Sequence, residues 1–179
     1  MNAPTIRTER FIIRPFKDAD AKLWQSWDVD PEIQAHTPEP INEPQDIAEQ
    51  HEYIKECEEE EDGYYWSIEA KTGPTIGTVA LTDINEHHKL AEIAILIGDK
   101  DYWGKGVATE VVTAVINFAF YELGVVRISA ETEAGNIAVS KVLEKVGFIQ
   151  DGEFLSARVK NGQRVDVNHY GILNPRKQQ

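Results

Sequence analysis

Between residues 91 and 119 the apolar pattern changes its period once, and that change limits the folds open to the chain. "AEIAILIG" is an unbroken apolar run of strand length. From Ala108 onward, Val111, Val112, Val115 and Ala119 fall at i+3, i+4, i+7 and i+11, one stripe of a helix. The joint between them, "DKDYWGKG", places two glycines around Lys105 immediately before the helical stripe. A glycine turn that opens a helix exposes bare backbone N–H groups at the positive end of the helix dipole, a setting that favours an anion.

The rest of the chain fits around that joint. "RFIIRPF" (10–16) reads as a first strand, stopped by Pro15. "KDADAKLWQSWD" follows as a helix with Asp18 as its N-cap. Four prolines from Pro31 to Pro44 predict a loop, and "PQDIAEQHEYIKECEEEED" a helix burying Ile47, Tyr53 and Ile54. That helix is weakened by like charges four apart, as at Glu52 and Glu56. "YYWSIEA", "TIGTVALTDI" and "KLAEIAILIG" form a meander, and "VRISAETE" another strand. Val139, Val142, Leu143 and Val146 make a second helical stripe, stopped by Gly147. "FIQDGEFLSARV" and "QRVDVNHYGIL" close the chain as a hairpin turning at "KNG". Strands first, then strands alternating with helices, then a hairpin predict an α/β (α+β) mixed sheet with helices packed on it, in one domain spanning residues 1–179.

Composition narrows the function. The net charge of −13 resides entirely between Asp28 and Asp62, where 14 acids face one base, Lys55. Acidity of this kind argues against a nucleic-acid partner, whose affinity comes largely from Lys and Arg, and suits a cationic one. A single cysteine, Cys57, excludes an internal disulfide and a cysteine-ligated zinc site. The five histidines have no ligand spacing, so no metal is expected; His87 and His88 fall in a predicted solvent-facing loop. No run reaches about 18 apolar residues and "MNAPTIRTER" holds no apolar signal core, so the expectation is a cytoplasmic protein without a membrane partner.

Three phosphate-binding patterns compete for the glycine turn. A Walker loop fails, because Gly106 follows Lys105 where Ser or Thr is required. A dinucleotide fingerprint is incomplete: Gly104 and Gly106 fit, but Thr109 stands in the third glycine position and the strand ends near Ile97. The third is a pyrophosphate held on successive N–H groups at the helix start. Taken with "AEIAILIG" before it and "NIAVSKVLEKVGF" after it, the stretch resembles the GNAT superfamily of acetyl-CoA-dependent N-acetyltransferases. Within that superfamily it is most similar to the branch of ribosomal-protein alanine N-acetyltransferases and polyamine acetyltransferases. The resemblance runs from "RTERFIIRPF" through "YWGKGVATEVV" and "AGNIAVSKVLEKVGF" to "DGEFLSARVKNGQRVDVNHYGIL", nearly the whole chain.

The resemblance implies a central, mostly antiparallel, splayed sheet flanked by helices, with acetyl-CoA as cosubstrate. It maps the pyrophosphate loop onto Trp103, Gly104, Lys105, Gly106, Val107, Ala108 and Thr109, with Trp103 where the family usually has Gln or Arg. It also implies that backbone groups of Ile95, Leu96 and Ile97 are free to pair with the pantetheine arm, and that Asn136 bonds that arm or a nearby water. As an N-terminal residue of its helix, Asn136 is equally an N-cap.

An amine attacks a thioester only as the free base, so a group must take its proton and another must protonate or stabilise the departing thiolate. Glu92, a carboxylate in an otherwise apolar strand, is the base candidate, and burial would raise its pKa usefully. The family's usual acid, a Tyr seven residues after the helix-opening Asn, is replaced here by Leu143, and the branch's Ser three residues after it by Val139. Ser140 lies about 100° further round the helix, leaving Ser140, or water with Tyr170, as acid.

The resemblance implies that the first two helices and their loop form the acceptor side of the cleft, so the acidic block is expected near the amine's entrance. The function expected is direct acetyl transfer, in a ternary complex, to a primary amine on a cationic acceptor such as a protein N-terminus. Alternatives are a polyamine, amino-sugar or antibiotic acceptor, or a non-catalytic acyl-CoA sensor, motivated by the missing Tyr. A nucleotide-dependent oxidoreductase is the remaining rival, motivated by Gly104, Gly106 and Glu131. "YYW" (64–66) is a candidate cleft lining, His169 a candidate substrate-facing group, and the C-terminal hairpin a candidate homodimer contact.

Overall fold

The computed structural model describes residues 3–35, 37 and 46–176. His36 and the predicted proline loop from Pro38 to Pro44 lie outside the described residues. Eight strands form one sheet in the order β1-β2-β3-β4-β5-β6-β8-β7. They are β1 (Ile6–Arg7), β2 (Phe11–Pro15), β3 (Tyr64–Ala70), β4 (Thr75–Asn85), β5 (Leu90–Ile97), β6 (Arg127–Glu133), β7 (Ile149–Lys160) and β8 (Gln163–Leu173). The helices are α1 (Ala21–Asp28), α2 (Pro31–Gln34), α3 (Ile47–Glu59), α4 (Val107–Tyr121) and α5 (Ile137–Val146). Every strand pairing is antiparallel except β5 with β6. This is the predicted mixed sheet with helices on it.

Side-chain alternation along the strands builds a core on each face. Ile13, Ile68, Val79, Leu81, Ile93, Ile128 and Tyr170 pack under α4 and α5 in the main cluster. Phe16, Trp24, Trp27, Ile33, Ile54 and Cys57 form the second, between α1, α2 and α3, with Tyr65 and Leu96 against it. Trp27 closes that layer by lying so close to Gly98 that a side chain there would strike its ring.

Several local expectations are corrected. Asp18 does not cap α1; residues 18–20 form a 3-10 turn and α1 begins at Ala21. Asp20 is instead buried, accepting from both terminal nitrogens of Arg14, at 2.8 and 2.9 Å, and from Ser67 Oγ at 2.7 Å. The proline stretch contains α2, started by Pro31 behind the N-cap Asp30. In α3 the inner positions are Gln50, Ile54 and Cys57, whereas Ile47 and Tyr53 are exposed. Val107, not Ala108, heads the buried stripe of α4. Trp66 and Tyr64 pack in the main core and Tyr65 under α3, so "YYW" is packing and not cleft lining.

The C-terminal hairpin turns at Asn161 and Gly162, both at positive φ, as a two-residue hairpin turn requires. On edge strand β7, Ile149, Phe154, Leu155 and Val159 are exposed. Among the described residues no helix is long and apolar enough to cross a membrane.

Candidate active site

The parallel pairing of β5 with β6 is short. It runs Leu90 with Arg127, Ala91 with Ile128 and Glu92 with Ser129, and there it stops. Beyond it β5 stays paired to β4 as far as Ile97, and β6 to β8 as far as Glu133. The two strands therefore part at Glu92, and an open seam runs from that point towards their C-terminal ends. Burial records the parting: Ala91 and Ile93 are buried, Ala94 is exposed and Ile95 to Ile97 are half-buried despite their apolar side chains.

Successive residues of a strand turn their N–H and C=O groups to opposite neighbours. The Lys89 and Ala91 carbonyls face β6, accepting from Val126 N–H at 2.7 Å and Ser129 Oγ at 3.3 Å. Alternation then turns Ile93, Ile95 and Ile97 to the seam. Leu96 faces the other way, its carbonyl pressed against Gly77 of β4. The expectation for Leu96 is thus corrected: its backbone serves the sheet, while Ile95 keeps seam-facing groups. The Ile97 carbonyl already accepts from Trp103 Nε1 at 2.7 Å, so the indole caps the end of β5 instead of reaching towards a phosphate.

At the wide end of the seam lies the glycine turn. Gly104 and Gly106 have φ of 69° and 74°, and Gly106 is the left-handed N-cap of α4. Only glycine takes this conformation without strain. The first backbone bond of the helix runs from Glu110 N–H to Gly106 O, so Val107, Ala108 and Thr109 are its unpaired first N–H groups. A side chain at Gly104 would meet nothing within 4 Å, so the loop is open to approach.

The loop is held from behind by a residue that sequence reasoning missed. Arg10 donates from Nε to Glu110 at 2.6 Å and from one terminal nitrogen to the Lys105 carbonyl at 2.9 Å; its backbone N–H donates to Glu110 at 2.9 Å. The partners are about a hundred positions apart, and only "TER" ahead of an apolar run hinted at a role.

Glu92 lies at the point of parting, half-buried. Burial, then the charges of Glu131 and Asp83, raise its pKa above the ordinary carboxylate value, against a smaller opposing effect of Arg158. Glu131 stands two residues beyond Ser129, on the opposite lip of the seam. It binds Arg158 at 2.5 Å and His169 Nδ1 at 3.2 Å, and the His169 ring sits edge-on to Phe154. Its place in mid-strand, held by these partners, removes the reason to read it as a ribose ligand.

On α5, Asn136 is the N-cap, its Oδ1 accepting from Val139 N–H at 3.2 Å. Ser140 is buried, and its Oγ has no hydrogen-bond partner among the described residues. Tyr170 is buried in the main core.

Among the described residues the acidic block does not form one patch. Lys100 binds Asp30 and Glu32, each at 2.7 Å, and Asp28 accepts from Gln50 at 2.6 Å. Residues 58–62 leave α3 at the opposite end of the sheet, where Ile84 N–H donates to the Asp62 carbonyl. Among the described residues no group of three or more His, Cys, Asp or Glu is placed to hold a metal ion. An open hollow of about 370 Å³ lies elsewhere, beside β1 and β2, lined by Arg7, Arg14, Lys17 and Glu69 among others. It contains none of the predicted site residues, and Arg14 there is already saturated by Asp20, Glu69 and Thr75.

Known proteins resemble this chain in sequence and in fold. The profile of the acetyltransferase (GNAT) domain matches residues 10–149. An uncharacterized N-acetyltransferase of Bacillus subtilis, YoaA, is 29% identical over 176 residues, covering 97% of this chain and 99% of its own. Spermidine N-acetyltransferase from Vibrio cholerae, solved with CoA and spermine, superposes with a TM-score of 0.82 at 23% identity, over 92% of this chain and 95% of that one. RimL, a ribosomal L7/L12 α-N-protein acetyltransferase solved with CoA, does so at 0.85 and 16%, over 95% and 98%. A sheet that opens beside a glycine-capped helix start, over a stretch matched by the family's own profile, makes the chain a GNAT acetyltransferase, an enzyme that draws its acetyl group from acetyl-CoA.

Proposed function

We propose that the protein, acting as one GNAT domain, transfers acetyl from acetyl-CoA directly to a primary amine on a cationic acceptor, a protein N-terminus being the first choice. The observation that carries this reading is the seam that opens at Glu92, with a half-buried carboxylate at its apex. The pyrophosphate sits on the N–H groups of residues 104–109, where the helix dipole and unpaired donors favour it. The pantetheine arm follows the seam and pairs with the seam-facing backbone groups of Ile95, and Asn136, the N-cap of α5 just beyond the end of β6, bonds that arm or a nearby water.

In the transfer, the amine nitrogen attacks the thioester carbonyl carbon, the C–S bond breaks and CoA leaves as thiolate. Glu92 takes the proton lost by the amine, directly or through water, and its raised pKa brings it closer to that task. Ser140 Oγ is the donor to the departing sulfur; a buried hydroxyl with no partner among the described residues has its hydrogen-bonding capacity in hand. Glu131, on the other lip, adds negative charge on which a cationic acceptor can rest. The similar proteins are named for two amine acceptors, spermidine and the α-amine of a ribosomal protein.

The test is CoA release, followed as free thiol, with Ala- and Ser-starting peptides, spermidine, amino sugars and aminoglycosides. Release with a peptide, and an acceptor KM that rises with salt, is the expected result. Release with spermidine alone would move the acceptor to polyamines. Thermal stabilisation by acetyl-CoA without release on any amine would support a sensor.

A further inference from the structure

Glu110 poses a problem for an anion site. It lies in the first turn of α4, one residue beyond the three unpaired N–H groups, where a free carboxylate would repel a phosphate. It is not free. Arg10 meets it twice, through Nε at 2.6 Å and through its backbone N–H at 2.9 Å. Burial pushes the Glu110 carboxyl up, but hydrogen bonds from Thr8 and from the Arg10 backbone and side chain outweigh it, so the group is held ionised. The same guanidinium binds the Lys105 carbonyl at 2.9 Å. That carbonyl lies between the two left-handed glycines, so the guanidinium fixes the loop backbone directly ahead of the first N–H groups of α4. The second terminal nitrogen of Arg10 stands 3.7 Å from where a Gly106 Cβ would be, with no hydrogen bond to a described residue.

We propose that Arg10 is a positioning residue for acetyl-CoA: it cancels the Glu110 charge and clamps the Lys105 carbonyl, so that residues 104–109 form an anion cradle. The proposal rests on the reading of that loop as the pyrophosphate site. It explains why a carboxylate is tolerated in the first turn, and it ties the cofactor loop to the β1–β2 connection.

The test measures binding of CoA and of pantetheine, which lacks the phosphates, to the wild type, R10Q, R10K, E110Q and R10Q/E110Q. R10Q is expected to weaken CoA at least tenfold and pantetheine less than twofold, with the KM for acetyl-CoA rising more than kcat falls. R10K keeps the charge but not the fork and falls between. E110Q binds CoA at least as well as the wild type, and R10Q/E110Q recovers part of the R10Q loss, because the uncompensated charge is gone. Equal CoA affinity in R10Q and wild type, equal losses for both ligands, or a double variant as weak as R10Q would each overturn the proposal. A wild type that binds CoA no better than pantetheine would instead overturn the loop reading beneath it. Should R10Q fail to fold, R10K and E110Q still decide the matter.

Discussion

Gly104 and Gly162 form a matched pair that separates backbone strain from ligand contact. Both have positive φ, 69° and 75°, and a Cβ at either would meet nothing within 4 Å. One lies in the cofactor loop and the other in the β7–β8 turn. Replacing either by Ala forces a left-handed conformation that costs about 1–2 kcal/mol. At a Tm shift of about 2–4 °C per kcal/mol for a chain of this size, each variant should melt about 2–8 °C lower. For Gly162→Ala that is the whole effect. For Gly104→Ala the new methyl occupies the space a phosphate needs to reach the backbone. Losing one charge-assisted bond there costs about 1.5–3 kcal/mol, roughly a 10- to 150-fold rise in Kd for CoA. Calorimetric titration of CoA into both variants, beside their melting curves, measures the two effects together. If both bind CoA as the wild type does, Gly104 serves only the turn and the loop does not hold the phosphates.

Glu92→Gln should reduce kcat about 10²–10⁴-fold with acetyl-CoA binding retained. In the wild type a base with a raised pKa loses activity as pH falls through that raised value, so the acid limb of kcat/KM should stand above the ordinary carboxylate range. Burial is the first cause and Glu131 the second, so Glu131→Gln should move that limb to lower pH; an unmoved limb would exclude their coupling. Ser140→Ala should lower kcat while leaving Tm unchanged or higher, since its buried Oγ loses no partner; an unchanged kcat would remove it as the acid. Asp20→Asn leaves the Arg14 guanidinium buried with one carboxylate fewer and should cost about 3–5 kcal/mol, a fall in Tm of roughly 6–20 °C. The Asp20 pKa is lowered: burial opposes this, but hydrogen bonds from Arg14 and Ser67 prevail. Its stabilisation is therefore present above the unfolded-state value and lost as pH falls through the lower folded one, and the variant's stability should depend less on pH in that window.

Where one residue period dominates, sequence and structure agree. The α4 stripe, the meander and the "KNG" hairpin repeat local patterns that tertiary packing does not override. The glycine turn was legible for the same reason, since left-handed backbone selects glycine. Beyond the local corrections at α1 to α4, the misses that bear on the site are non-local. The Arg10–Glu110 clamp joins distant positions, and the ion pairs of Glu131 with Arg158 and His169 depend on β8 lying between β6 and β7, an order no local pattern encodes. The length of the seam is set by where pairing with β6 ends, so "EIAILIG" alone could not tell Ile95 from Leu96. The acidic block misled for a related reason: composition counts charges, but folding paired Asp30 and Glu32 with Lys100 and carried Asp62 to the Ile84 end of β4.

Backbone amide chemical shifts, followed while CoA is added, report directly where the cofactor sits. The largest changes should fall at Gly104 to Thr109 and, along the seam, at Ile93 and Ile95, with Leu96 less affected. Changes centred instead on Arg7, Arg14 and Lys17, beside the hollow at β1 and β2, would contradict that placement.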